Sequence, residues 1–217
     1  MKIFNIIVAM DNNNGIGKNN KIPWHESEKI LSKYDLNFFK TKTTNQIIIM
    51  GRKTWESMNQ KLLPNRITII ISNTIKNENL NIVNSFENAL KKAYEIDKTK
   101  EIWVIGGCAV YEEALCHPLF NKLFLSYFDK NYDCDTFFPN FNLILNQKLE
   151  LCPNLYMYEY NNMNIEENQY KILLYKLINL KNIRKDRTKT GVLSDFGFHM
   201  SFNLKNKKIP LLTTKKI

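Results

Sequence analysis

The chain is predicted to adopt an α/β fold, a central sheet covered by helices on both faces, and three observations carry this. Short β-rich runs at Ile3–Met10, Ile47–Met50, Ile67–Ser72, Ile102–Ile105, Lys122–Phe128 and Leu155–Tyr160 alternate with helical patterns at 27–41, 86–96 and 108–115. Such alternation is the signature of a layered sheet. Runs such as Thr68–Ile71 and Trp103–Ile105 carry almost nothing polar, as strands buried on both faces require. A length of 217 residues, 44% hydrophobic and 12% aromatic, suffices for a full core and excludes an intrinsically disordered chain.

Taken in order, the first strand leads from Ile3 to Met10 with one basic residue before it. It is too short and too poorly bounded for a signal peptide, so a cytoplasmic protein is expected. The strand opens into Asn12-Asn13-Asn14-Gly15-Ile16-Gly17-Lys18-Asn19-Asn20-Lys21-Ile22-Pro23-Trp24, an Asn/Gly-rich loop ending on an aromatic anchor, which suits a lid. The apolar runs, such as Ile47–Met50 and Ile67–Ile71, are strand-sized, far below the roughly 20 residues of a membrane span. No membrane association is expected.

Cys108, Cys116, Cys134 and Cys152 are scattered without a C-x-x-C pair, and the chain has three histidines. Free thiols are therefore expected, with no disulfide framework and no metal site. The net charge of +10 suits any polyanion, but Lys and Asn are spread along the whole chain without a run of five basic residues. No nucleic-acid partner is expected.

Chemistry enters at Asp35. If residues 30–40 are helical, Leu31, Asp35, Phe38 and Phe39 fall at i, i+4, i+7 and i+8 and share one face. A carboxyl beside two aromatic rings loses solvation, which raises its pKa and lets it hold or relay a proton near neutral pH. Taken alone, the same pattern also describes a solvated Asp on an amphipathic helix. Two glycine turns add to it. Gly51-Arg52-Lys53-Thr54 lies where a strand hands over to a helix, offering amide groups, a helix dipole and two cations to an anion. Ile105-Gly106-Gly107-Cys108-Ala109-Val110-Tyr111 repeats that context, and Gly allows a pyrophosphate to approach the backbone closely. Neither is a G-x-G-x-x-G fingerprint, and either one alone is ordinary turn geometry.

In combination and in order, Ile22-Pro23-Trp24, Asp35-x-x-x-Phe39, Ile49-Met50-Gly51-Arg52-Lys53-Thr54-Trp55-Glu56-Ser57, Leu63-Pro64-x-Arg66, Ile105-Gly106-Gly107 and Asp135-Thr136-x-Phe138-Pro139 closely resemble the dihydrofolate reductase family over residues 1–160. The resemblance implies a mixed, mainly parallel central sheet flanked by helices and NADPH-dependent reduction of dihydrofolate to tetrahydrofolate, with antifolates as further ligands. Under it, Asp35 is the pocket acid that holds the pterin and assists protonation of N5. Ser126 stands where the family usually has Thr and bridges Asp35 and the pterin. Ile7 and Ile105 supply carbonyls beside the pterin, Phe39 packs on its ring, and Arg66 pairs with the α-carboxylate of the folate glutamate. Ala9, Ile16, Gly17 and Ile22 line the nicotinamide, while Lys53, Thr54 and Gly106, Gly107, Cys108, Ala109, Val110 and Tyr111 hold the pyrophosphate. Arg52, Ser72, Asn73 and Thr74 face the adenosine end, with its 2′-phosphate. No metal is implied, because the nicotinamide carries the redox chemistry.

Two departures stand out. Ten residues, His25 to Tyr34, separate Trp24 from Asp35, about five more than the family usually has, which makes Glu26 and Glu28 rival acids. Spacing rejects them, since only Asp35 has an aromatic at i+4 followed by a basic residue. Cys108 stands where the family often has another Gly, placing an oxidisable thiol beside the cofactor turn. Two rivals remain. A related pterin or pyrimidine reductase would share the sheet and glycine turns without needing Asp35, Phe39 and Arg66 together. A binding protein disabled by the insertion would hold its ligands without turnover.

Residues 161–169 are polar and aperiodic, as in a linker. From 170 to 217 the chain resembles the start of thymidylate synthase, through Tyr170, Arg184-Lys185-Asp186-Arg187-Thr188-Lys189-Thr190-Gly191 and Pro210-Leu211-Leu212-Thr213-Thr214-Lys215-Lys216. A helix over 169–182 and strand-like pieces at 192–196 and 198–204 are expected. In that family Arg187 contacts the phosphate of dUMP, while Lys189 here replaces a Gly of the phosphate loop. The family's Pro-Cys-His nucleophile is not among residues 170–217, so synthase activity is not expected from these residues alone. Reductase followed by synthase is the order of the fused bifunctional enzyme, whose full-length form is expected to be a homodimer through the synthase.

Overall fold

The computed structural model describes residues 2–162 throughout, together with Tyr170, 172–175, 177–178, 183–184 and 192–193. It divides into two compact units, residues 1–162 and 163–217.

The first unit is built on one eight-stranded sheet. β1 (Phe4–Met10), β3 (Ile47–Gly51), β4 (Ile67–Ile71), β5 (Asn81–Val83), β6 (Ile102–Val104), β7 (Phe120–Phe128), β9 (Ile144–Cys152) and β10 (Leu155–Asn161) lie in the order β5-β4-β3-β6-β1-β7-β10-β9. From β5 to β7 every neighbouring pair is parallel, and β10 runs antiparallel to both β7 and β9. The sheet is mixed and mainly parallel, as the motifs implied. At its centre Ile47, Ile48, Ile49 and Met50 are all fully buried. β2 (Gly15–Gly17) and β8 (Thr136–Phe137) form a separate antiparallel pair.

Five helices belong to this unit: α1 (Trp24–Ser27), α2 (Lys29–Thr43), α3 (Arg52–Ser57), α4 (Phe86–Ile96) and α5 (Cys108–Cys116). Ser85 caps α4 by accepting from the Asn88 amide at 3.2 Å, which satisfies one of the orphan donors of the first turn. Lys40 and Lys42 lie in the last turn of α2, where cations complement the helix dipole. The expected helix start at residue 27 is displaced, because Glu28 at φ −125°, ψ 65° separates α1 from α2. The extra residues after Trp24 are thus absorbed as one short helix and a break.

Chain order and sheet order reverse between β1 and β3, with β6 inserted between them. Crevices outside the carboxyl ends of strands at such a reversal are where α/β sheets bind ligands. The β1 exit, the β3–α3 turn and the β6–α5 turn all open there.

The second unit shows helical backbone at Tyr170, Ile172 to Tyr175, Leu177 and Ile178. It also holds an antiparallel pair, β11 (Ile183–Arg184) with β12 (Val192–Leu193). Arg187, the strand piece expected at 198–204 and residues 163–169 of the expected linker lie outside the described residues. Asn161, expected to begin that linker, is the last residue of β10.

Candidate active site

Asp35 lies on the inward face of α2. It is 7% exposed and Ser32 beside it is 4% exposed, while Leu31, Phe38 and Phe39 are half-buried and Lys33, Tyr34, Leu36 and Asn37 face out. Helical periodicity alone produces this division. Burial pushes the Asp35 carboxyl up to about 6, and a hydrogen bond from the Ser126 hydroxyl opposes that rise without cancelling it. Ser126 is 1% exposed in β7, in register with Ala9 of β1. The acid is thus poised between its two protonation states near neutral pH, as a proton donor must be. Glu26 is exposed, and Glu28 is ion-paired with Lys130 at 2.6 Å.

Two further buried polar groups stand out. The Tyr111 hydroxyl donates to the Ile7 carbonyl at 2.9 Å. Its pKa is raised first by burial and then by the charge of Asp35, which joins the β6–α5 turn electrostatically to the acid. The Trp24 indole N–H is fully buried and has no protein acceptor among the described residues. A buried donor of this kind costs free energy unless a ligand or water accepts from it.

Arg66 follows the Pro64 turn and is held in place by three bonds. Its Nε donates to Thr43 Oγ1 at 2.9 Å, Nη1 to the Pro64 carbonyl at 2.7 Å and Nη2 to Thr44 Oγ1 at 3.3 Å. The guanidinium also lies 5.5 Å from the Phe39 ring centroid, within cation–π range. Thr43, fully buried at the end of α2, is itself anchored to the Phe39 carbonyl at 2.8 Å. Phe39 and Arg66, distant in sequence, are thereby brought together. A guanidinium fixed by these bonds presents a rigid fork suited to a carboxylate.

The two glycine turns lie side by side, because β3 and β6 are parallel neighbours. The Gly51 amide donates to the Gly106 carbonyl at 2.7 Å. A Cβ on Gly51 would lie 3.1 Å from Val110 Cγ2, one on Gly107 3.2 Å from Thr54 Oγ1, and one on Gly106 3.2 Å from the Tyr111 hydroxyl. Gly106 also has φ +117°, which disfavours any side chain. At each glycine the neighbouring chain packs so closely that a side chain would crowd it, which leaves the backbone of both turns bare. In α5, Val110 and Tyr111 pack inward while Ala109 is exposed.

Further along, Arg52 is engaged by Glu56 at 2.7 and 2.9 Å, and Lys53, Asn73 and Thr74 are exposed. Ser72 Oγ accepts from the Thr74 and Ile75 amides at 3.2 and 3.1 Å, shaping that turn. The Cys108 thiol points to Glu112 at 3.7 Å. Its pKa is raised by burial, then by the Glu112 charge and hydrogen bond. It is less reactive than its place beside the turn suggests.

The Asn/Gly loop folds back as β2 against β8, with Gly15 opposite Phe137 and Gly17 opposite Thr136. Asn19 and Asn20, both at positive φ, turn a tight hairpin closed by Lys18 and Lys21 at 2.9 and 3.0 Å, a role Asn tolerates well. Asp135 Oδ2 accepts the Asn19 amide at 2.7 Å. Ile16 and Gly17 are half-buried on β2, and Ile22 is 40% exposed.

Sequence reasoning singled out Asp35, Ser126, Phe39, Arg66 and the glycine turns, and it missed Thr43, the Trp24 indole and the reach of Tyr111 to Ile7. Thr43 continues the 31, 35, 39 series and so carried a periodic signal. The Tyr111 bond joins residues 104 apart in sequence and left no local trace.

The dihydrofolate reductase family profile matches residues 3–166, and the thymidylate synthase profile matches residues 168–217. A bifunctional dihydrofolate reductase-thymidylate synthase of Paramecium tetraurelia is 34% identical over 235 residues, covering 100% of this chain and 49% of that protein. One of Leishmania major is 29% identical and covers 100% and 50%. The chain thus spans about half the length of these bifunctional relatives. The dihydrofolate reductase of Buchnera aphidicola is 42% identical over 139 residues, covering 64% of this chain and 80% of that protein. Among solved structures, dihydrofolate reductase from Enterococcus faecalis complexed with NADP(H) and RAB-propyl has a TM-score of 0.58 and 31% identity, covering 75% of this chain and 96% of that one. With its mixed sheet, buried acid and paired glycine turns, the chain belongs to the dihydrofolate reductase family and continues into a thymidylate synthase segment.

Proposed function

We propose that residues 1–162 reduce 7,8-dihydrofolate to tetrahydrofolate with NADPH as the reductant. The observation that carries this is the buried Asp35 carboxyl, poised at about 6 and hydrogen-bonded by Ser126. A nicotinamide cofactor supplies the hydride, and this chain's residues bind, orient and protonate. Asp35 holds the pterin 2-amino group and ring N–H and assists protonation at N5, with Ser126 bridging the two. The Ile7 and Ile105 carbonyls flank the ring. Ile7 retains a lone pair beyond its bond from Tyr111, since a carbonyl accepts two. Phe39 stacks on the substrate and Arg66 clamps its α-carboxylate.

On the cofactor side, Ala9, Ile16, Gly17 and Ile22 line the nicotinamide. The glycine turn from Gly106 to Tyr111, with Lys53 and Thr54, holds the pyrophosphate. Arg52, Ser72, Asn73 and Thr74 lie at the adenosine 2′-phosphate and favour NADPH over NADH. The NADP(H) complex of the E. faecalis relative supports this choice. In the whole protein the reading extends to a cytoplasmic reductase–synthase fusion, dimeric through its synthase, with Arg187 at the dUMP phosphate. Dihydrofolate-dependent NADPH oxidation by the purified chain, compared with NADH and blocked by an antifolate, tests the reductase. Tight NADPH binding with no turnover would replace it with a binding-only role.

A further inference from the structure

Asp11 is a fully buried carboxylate that the proposed chemistry does not use. It stands just past β1, where the lid loop 12–24 begins. Its Oδ1 accepts the Asn13 amide at 2.9 Å and the Gly15 amide at 2.7 Å, both from the lid. Its Oδ2 accepts the Tyr132 amide at 3.1 Å, from the loop between β7 and β8. Cys134 closes the remaining side. Burial, then the charge of Asp11 and a hydrogen bond to it, push the Cys134 thiol up to about 11, so it stays a neutral S–H donor. Gly15 fits between the two: a Cβ there would collide with Cys134 Cβ and Sγ and lie 2.9 Å from Asp11 Oδ1.

A buried anion is tolerated only while its lone pairs are taken by donors. Here those donors come from two separate segments, so withdrawing either one strands the charge and the amides together. The surrounding bonds follow the same pairing. The Asn12 amide donates to the Lys130 carbonyl at 3.3 Å and the Phe138 amide to the Asn14 carbonyl at 2.7 Å, and β2 pairs with β8. Such a site favours two discrete loop arrangements over a continuum. Trp24, stacked on Phe128 at 4.6 Å and set edge-on to Tyr132 at 5.4 Å, ties the far end of the lid to the same loop.

We propose that Asp11, completed by Cys134, is the positioning residue that clamps the lid, and that it sets how long the cofactor stays bound. This rests on reading loop 12–24 as a lid over the nicotinamide. The test uses the full chain with Asp11→Asn and Cys134→Ala. Asn offers an amide N–H₂ where acceptors are needed, and Ala removes only the thiol. Asp11→Asn should speed NADPH dissociation and raise its KM about tenfold, the scale of a small misplacement at a site. Dihydrofolate affinity without cofactor should stay the same, Gly15 amide exchange should quicken, and Cys134→Ala should fall between. Unchanged NADPH dissociation and Gly15 exchange would overturn the clamp. So would a parallel loss of both affinities together with thermal stability, the mark of a purely structural residue. If the wild-type chain fails to reduce dihydrofolate, the reductase reading falls, while NADPH dissociation and Gly15 exchange still decide the clamp.

Discussion

At the residue scale, the burial of Asp35 ties stability to pH. Its folded pKa of about 6 lies above the ordinary 3.8 because burial penalises the charged form. The raised value favours the protonated folded state, so its stabilising contribution is complete below pH 4 and is lost as pH rises through about 6. At neutral pH the ionised group costs roughly 3 kcal/mol, from about two units at 1.36 kcal/mol each. Thermal melts from pH 4 to 8 should show Asp35→Asn gaining stability over wild type as pH rises. Parallel curves would mean that the carboxyl is not desolvated. Arg66 is held to Thr43, Pro64 and Thr44. Arg66→Lys removes the planar fork, and the dihydrofolate KM should rise about 10- to 100-fold with kcat changed little, because a point charge cannot pair bidentately.

At the element scale, the proposed cofactor site depends on β3 and β6 delivering two glycine turns to one edge of the sheet. Gly106→Ala places a Cβ 3.2 Å from the Tyr111 hydroxyl on a backbone at φ +117°. It should weaken NADPH binding about tenfold or more and destabilise the chain by about 1–3 kcal/mol, measurable by cofactor titration and chemical denaturation. Elements were legible where burial imposed a pattern. β3 is four buried residues in a row, and α2 repeats its inward face at 31, 35 and 39. β9 went unread because Ile144 to Glu150 are all exposed, so no buried face marked its nine residues. β2, β5 and β8, of two or three residues each, are too short to repeat a pattern and are recognised only through their partners. The same holds in the site. Asp35 and Arg66 carry local motifs, whereas the Asp11 clamp draws on residues 121 positions apart.

At the scale of the whole molecule, residues 1–162 form a compact unit with its own core. A chain ending at Asn162 should therefore fold alone, with a single cooperative unfolding transition and the cofactor affinity of the full chain. Loss of cooperativity would show that residues 163–217 complete the core. Single-turnover dihydrofolate reduction across pH, wild type beside Asp35→Asn, decides whether the buried Asp35 is the acid of the proposed reaction. The wild-type rate should rise as pH falls through about 6, and the variant should lose about 10²- to 10⁴-fold with no titration left. A variant that keeps the wild-type rate and pH profile would contradict that role.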